Sequence, residues 1–270
     1  MIRAAVLGSP ISHSLSPTLH NRAYEILGIS GKYEAIELSE VEFPQFFAEA
    51  TALDASVDWR GFSLTMPLKE IVTNSLIGVD PLAKRISSAN TILIDRNSQE
   101  VNVKILSTDV LGFRTIFDRI TINQDSSVAI IGGGGTARAA VSALDGLVSN
   151  INVYQRSEKR NNLVRGAASL SAINFHGLNK LNDVLDHSLI VSTLPNTASE
   201  VLIAAIPPKG FLLKTSAQLT PSSLIEKKSK DRASYTTEIP LKLEVAFFAF
   251  IPKAKPISSK TQPPIQKRPQ

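Results

Sequence analysis

The chain has no cysteine. Disulfides, thiolate nucleophiles and cysteine-held metals are therefore excluded, and the absence suits a cytoplasmic protein. No apolar run is long enough to span a bilayer, and the first residues read as a strand rather than a signal peptide, so no membrane partner is expected. The four histidines form no visible cluster, so no metal site is expected either. Glycine is missing from residues 211–270, where five prolines fall among Lys, Ser and Gln in the last 19 residues. That composition predicts a partly disordered end, apart from the apolar run Leu241–Ile251, which needs burial.

Charge is unevenly placed. Residues 214–270 hold 11 Lys and Arg against 4 Asp and Glu, while the rest of the chain holds 18 against 20. The basic excess belongs to the tail, so a nucleic-acid partner is not expected of the body. The 270 residues, 43% of them hydrophobic, are enough for two globular domains with real cores.

Strands are expected at 3–7, Lys32–Leu38, Gly61–Thr65 and Asn90–Asp95, the last paired with Val101–Ile105 across an Arg96-Asn97-Ser98 turn. Helices are expected from Pro17 to about Leu27, over Val41–Leu53, Leu68–Leu76 and Asp109–Phe117. Alternation then continues through Ile173–Phe175, Leu181–Leu185 and a strand at Ser188–Ser192. Further apolar segments lie at Val201–Ile206 and Gly210–Leu213.

The most informative stretch is Ser126–Ala140. An apolar run, Val128–Ile131, leads into Gly132, Gly133, Gly134 and Gly135, and the alanine-rich segment Thr136–Leu144 follows. Strand, glycine turn and helix in that order make a dinucleotide-binding unit. Gly132 takes the tight turn, Gly134 lets backbone approach a pyrophosphate, and Ala137 lets the helix sit close to the strand. The helix N-terminus then offers unpaired N–H groups to the phosphates. The next strand, Asn150–Tyr154, delivers Gln155, Arg156 and Ser157 with no carboxylate at its tip. A carboxylate there would hold the ribose hydroxyl of NAD. Arg156, with Lys159 and Arg160 adding positive charge, suits the 2′-phosphate of NADP instead.

Two other segments carry polar chemistry. Ser12, Ser14, Ser16 and Thr18 stand with His13, His20 and Asn21 in one loop, a set suited to a polyhydroxylated or carboxylated ligand. Taken alone, Ser16 ahead of Pro17 reads as an ordinary helix cap. Thr65 and Lys69 flank Pro67 where a strand turns into a helix, and Asp109 opens another helix, where capping is its ordinary role. A lysine in a dry cleft can serve as a general acid–base, and pairing it with a carboxylate requires the fold to bring the two together.

These residues together resemble the shikimate dehydrogenase family. Its substrate loop, G-x-P-x-x-H-S-x-S-P-x-x-H-N, is matched at every fixed position by residues Gly8 to Asn21. Its G-x-N-V-T-x-P-x-K corresponds to Gly61–Lys69, with Ser63 and Leu64 in place of Asn and Val. Ala89-Asn90-Thr91 resembles its A-x-N-T element, one residue tighter, and Ser107-Thr108-Asp109-Val110-Leu111-Gly112 its N-T-D-x-x-G. The glycine loop and a Gln-Arg-Ser version of its N-R-T follow. The likeness spans about residues 1–213.

The resemblance implies an α/β fold of two domains, an N-terminal α/β substrate-binding domain over 1–108 and a Rossmann-type NADP-binding domain over 109–213. A divergent C-terminal segment, 214–270, follows. It implies NADP-dependent reduction of 3-dehydroshikimate to shikimate, with Ser14, Ser16, Thr65, Asn90 and Asp109 holding substrate and Lys69 and Asp109 as the catalytic pair. It implies a cofactor site made by Gly132–Gly135, Thr136, Ala137, Gln155, Arg156, Ser157, Lys159, Thr193 and Leu194, in a monomer or homodimer. Departures lie at the C-terminal end. Where the family carries D-x-x-Y, Lys214 and Ala217 stand here, and neither its glycine-rich hinge nor its substrate-contacting Gln can be located. An NAD-using quinate/shikimate dehydrogenase and a catalytically impaired binding homologue are the alternatives.

Overall fold

Two sheets organise the chain, each assembled from the short apolar runs of the sequence. The computed structural model describes residues 1–75 and 78–194, with the strands Phe211–Lys214 and Thr236–Glu238. Strands β1 (Ile2–Gly8), β2 (Gly31–Glu37), β3 (Trp59–Leu64), β4 (Thr91–Arg96) and β5 (Val101–Leu106) form the first sheet in the order β2-β1-β3-β4-β5. β1 is parallel to both neighbours, while β3–β4 and β4–β5 are antiparallel. The β4–β5 turn closes at Asn97, whose Oδ1 accepts from the backbone N–H groups of Gln99 and Glu100. Helices α1 (Ser16–Leu27), α2 (Phe43–Thr51) and α3 (Leu68–Ser75) accompany this sheet. Phe43 and Ala50 of α2 are buried in its core with Trp59, Phe62 and Leu64.

The second sheet is parallel throughout. It runs β11-β10-β9-β6-β7-β8, from β6 (Val128–Ile131), β7 (Asn150–Gln155), β8 (Ala172–Gly177), β9 (Leu189–Ser192), β10 (Phe211–Lys214) and β11 (Thr236–Glu238). With β6 as the first strand, the spatial order read from β8 is 3-2-1-4-5-6, the Rossmann order. All four residues of β6 are buried, as a central parallel strand covered on both faces requires. α6 (Gly135–Leu144) lies against it and buries eight of its ten residues.

Two short helices join the halves. α4 (Pro81–Arg85) is capped by Asp80, whose carboxylate accepts from the N–H groups of Leu82 and Ala83. Ala83 sits in the first core, whereas Leu82 and Ile86 reach the second. α5 (Thr108–Phe117) starts beside the first sheet, and Val110, Phe113, Ile116 and Phe117 carry it into the second core.

The structure adds detail to the sequence reading in three places. Leu181–Leu185, where the α/β alternation was expected to continue, lies in a 3₁₀ helix over Leu178–Asp186. Leu178, Leu181 and Val184 recur every third residue, the 3₁₀ repeat, and face the cluster formed by Ala129, Ile131, Tyr154 and Ile190. Lys159 and Arg160, expected to add positive charge beside Arg156, belong to a 3₁₀ turn (Glu158–Arg160) leading into α7 (Asn161–Gly166). Thr236–Glu238, within the segment expected to diverge, pairs in parallel with β10. Val201–Ile206 and Leu241–Ile251 lie outside the described residues.

Candidate active site

Three polar side chains converge where the first sheet meets α3 and α5. Lys69, on the first turn of α3, points its Nζ at Asp109 Oδ2, 2.6 Å away. Asn90, just before β4, donates from Nδ2 to Asp109 Oδ1 at 2.8 Å and to Thr108 Oγ1 at 2.9 Å. The backbone holds Asn90 on both sides, through Leu64 N–H to its carbonyl and its own N–H to Leu106. Its Oδ1 accepts from Thr108 N–H at 2.7 Å. Asp109 is buried and Lys69 retains 13% side-chain exposure. Asp109 therefore stands inside the first turn of α5 with both carboxylate oxygens occupied, and does not cap it.

The serine loop approaches from the end of β1. Ser9 N–H donates to the Met66 carbonyl and Thr65 N–H to the Leu7 carbonyl, which ties this loop to the strand end beside Lys69. Ser16 does not cap α1, against the sequence expectation. It is the first helical residue, the cap position is Leu15, and the Ser16 carbonyl is bonded to His20 Nδ1 at 2.8 Å. Ser14 Oγ accepts from Ser16 N–H at 3.4 Å. Ser63 accepts from the Tyr33 hydroxyl at 2.7 Å, in a setting whose burial pushes the Tyr33 phenol well above its usual range.

The glycine loop follows β6 and closes against the first half. Gly132 has φ 117°, a left-handed conformation that side chains rarely adopt, and a Cβ there would collide with Thr193 Oγ1. A Cβ on Gly135 would collide with Ser88 Oγ, and Lys69 Cδ lies 3.6 Å from the same point. A Cβ on Gly134 would meet only Arg160 Nη1, in ordinary contact at 3.6 Å. A backbone cradle at a helix N-terminus with a guanidinium at its rim fits a dinucleotide phosphate. Thr136, on the first turn of α6, accepts from Lys69 Nζ at 3.2 Å, so the nucleotide-type helix touches the lysine directly.

The other expected cofactor residues are distributed unevenly. Ala137 is fully buried, as a close-packed third position requires. Gln155 is buried and its amide donates to Asn161 Oδ1, so its side chain faces the protein. Arg156 is exposed at the tip of β7, and Ser157 Oγ caps the turn by accepting from Lys159 N–H. Thr193 Oγ1 donates to the Ile131 carbonyl at 2.9 Å, and Leu194 rests against the cluster under β6 and β9.

Sequence reasoning missed Arg138 and Glu70. Arg138 is fully buried. Its Nε donates to the Ile86 carbonyl at 2.6 Å, Nη2 to Ser87 at 2.8 Å and Nη1 to Gly133 at 3.3 Å. Burial pushes its guanidinium below the usual range, and the Glu70 carboxylate opposes that shift. A lone arginine in the alanine-rich run Ala137–Ala143 was the available signal, because such a helix is buried and its charge must have partners.

A family model described as the shikimate dehydrogenase substrate binding domain matches residues 6–92, the span that holds Ser14, Ser16, Thr65, Lys69 and Asn90. The shikimate dehydrogenase (NADP(+)) of Methanosarcina acetivorans is 32% identical over 211 residues, covering 74% of this chain and 73% of that protein. The chain belongs to the shikimate dehydrogenase family. Solved members share its fold. The Mycobacterium tuberculosis shikimate dehydrogenase superposes with a TM-score of 0.63 at 31% identity, over 79% of each chain. The Thermus thermophilus shikimate 5-dehydrogenase, in complex with NADP(H) and shikimate, gives 0.60 at 29% identity, over 79% of this chain and 78% of that one. Among the described residues no helix is long and apolar enough to cross a membrane, and no group of three or more metal-ligating side chains occurs.

Proposed function

We propose that this chain is an NADP-dependent shikimate dehydrogenase, an oxidoreductase acting on a CH–OH group in the shikimate pathway of aromatic amino acid biosynthesis. The observation that carries the reading is the Lys69–Asp109 pair set directly against Thr136 of the glycine-loop helix. In this reading residues 1–108 bind substrate, 109–213 form the Rossmann domain and 214–270 are a divergent extension. The protein is cytoplasmic and works as a monomer or homodimer.

Bound NADPH supplies the hydride that reduces the C3 ketone of 3-dehydroshikimate. Lys69 stabilises the charge that develops on the ketone oxygen and gives it a proton, leaving a C3 hydroxyl. Asp109 orients the lysine through the 2.6 Å contact, while Asn90 fixes the second carboxylate oxygen so that Asp109 cannot turn away. Ser14, Ser16, Thr65 and Asn90 hold the carboxylate and hydroxyls of the substrate. Gly132–Gly135 receive the dinucleotide phosphates, and Arg156, Lys159 and Arg160 supply positive charge for the 2′-phosphate.

The test is steady-state reduction of NADP⁺ with shikimate, run beside NAD⁺ and quinate on the full chain. Turnover of roughly 1–10³ per second with NADP⁺ and shikimate is expected. Preference for NAD⁺ or quinate would shift the reading to a quinate/shikimate dehydrogenase. Binding of NADPH or shikimate without turnover would make the chain an impaired homologue, the reading that Lys214 and Ala217 in place of the family's Asp and Tyr would then explain.

A further inference from the structure

Glu70 follows Lys69 directly, and its carboxylate meets two arginines beside the glycine loop. One oxygen, Oε1, lies 3.1 Å from Arg138 Nη2 and 3.1 Å from Arg160 Nη1. The two guanidiniums differ in kind. Arg138 has no exposed side-chain surface and is pinned by the carbonyls of Ile86, Ser87 and Gly133. Arg160 is 49% exposed, and its Nη1 also lies 3.6 Å from where a Cβ on Gly134 would stand. Glu70 itself is 34% exposed.

An anionic carboxylate beside a phosphate cradle is unfavourable in isolation, because it repels the ligand and occupies one of its cations. Here its partners make the arrangement tolerable. When a phosphate takes Arg160, Glu70 keeps Arg138 and is never left uncompensated. Arg138 is the permanent partner and Arg160 the exchangeable one.

We propose that Glu70 is a positioning residue that sets cofactor affinity: it holds Arg160 in the nucleotide-free protein, and the NADP(H) phosphates must draw that arginine from it. The inference rests on the NADP reading above. Glu70 thereby weakens NADP(H) binding and speeds its release, and does so from the residue next to the lysine that handles the proton. Holding Arg160 is worth only what a half-exposed ion pair is worth, so the effect is a tuning of affinity rather than an on–off switch.

The experiment is NADPH binding, followed by nucleotide fluorescence, to the full chain as wild type, Glu70→Gln, Arg160→Ala and the double variant. Glu70→Gln keeps an acceptor for Arg138 and removes the charge. It is expected to tighten NADPH binding by about two- to fivefold. With release slowed, KM for NADPH falls and kcat does not rise. In the Arg160→Ala background the same change is expected to give no gain. Unchanged or weaker binding by Glu70→Gln, or an equal gain without Arg160, overturns the proposal. Failure of the wild type to bind NADPH at all overturns the nucleotide reading, and this inference with it.

Discussion

Replacing Lys69 by alanine separates the chemistry of the site from its binding. The lysine backbone carbonyl accepts from Ala89 N–H at 2.9 Å, and that bond survives the change, so α3 stays in place. The side chain takes away the ammonium 2.6 Å from Asp109 and 3.2 Å from Thr136. A general acid–base contributes about 10²–10⁴-fold, so kcat should fall by about 10³-fold, or about 4 kcal/mol of barrier. Ser14, Ser16, Thr65 and Asn90 remain, so the Kd for shikimate should move by less than about tenfold, or about 1.4 kcal/mol. Asp109 loses its cation but keeps Asn90 at 2.8 Å. With Lys69 not fully buried, the loss of stability should be about 1–3 kcal/mol. At about 2–4 °C per kcal/mol the Tm falls by about 2–12 °C. Stopped-flow or steady-state kinetics, calorimetric shikimate titration and a thermal melt read the three quantities on one preparation. A kcat within about tenfold of wild type would remove Lys69 from the proton transfer. A lost shikimate affinity with intact folding would make it a binding residue instead.

Two further perturbations address stability. Arg138→Met leaves three carbonyls without their donor, at Ile86, Ser87 and Gly133. A loss of about 3 kcal/mol, or about 6–12 °C in Tm, is expected from a thermal melt, and an unchanged Tm would mean that the guanidinium is not structural. His187 bonds Ser127 Oγ through Nδ1 and the Tyr154 hydroxyl through Nε2. Burial and the neighbouring His176 hold its pKa below 6.5, against the opposing pull of Asp186 and Asp183. The unfolded chain therefore binds the proton first, so this contribution is fully present above pH 6.5 and is lost as the pH falls through the folded pKa. Melts at about pH 8 and about pH 5 should show a smaller acid loss in His187→Asn than in wild type, and parallel losses would exclude the histidine.

Local patterns in the sequence located most of the frame. The burial of β6, the alanine helix after it and the Asn97 turn follow from composition and spacing alone, because each is decided within a few residues. The meeting of Lys69 with Asp109 is of another order. The two are 40 residues apart and joined through the β4–β5 hairpin, and only the strand register brings the start of α5 back to α3. Family likeness suggested the pair, but residue spacing could not. α4 was overlooked, although Asp80-Pro81 carries the cap and first-turn proline of a helix start, because five residues hold too little periodicity to register. Glu70 left no mark in the sequence, and Arg138 only that of a lone charge among alanines, for a simpler reason: each owes its partners to groups on other elements.

That overlooked helix decides how the two halves stand or fall together. In fewer than two turns α4 and its C-terminal cap residue set Ala83 in one core and Leu82 and Ile86 in the other. A cut between residues 108 and 109 would therefore leave the first fragment with Ile86 in water, a penalty of about 1.5–3 kcal/mol before the loss of Leu82 and the Arg138 bonds is counted. Inheritance, truncation or grafting of one half without the other therefore starts from a deficit. Calorimetry should accordingly record one unfolding transition shared by both sheets, and two resolved transitions would show that the shared helix does not couple them.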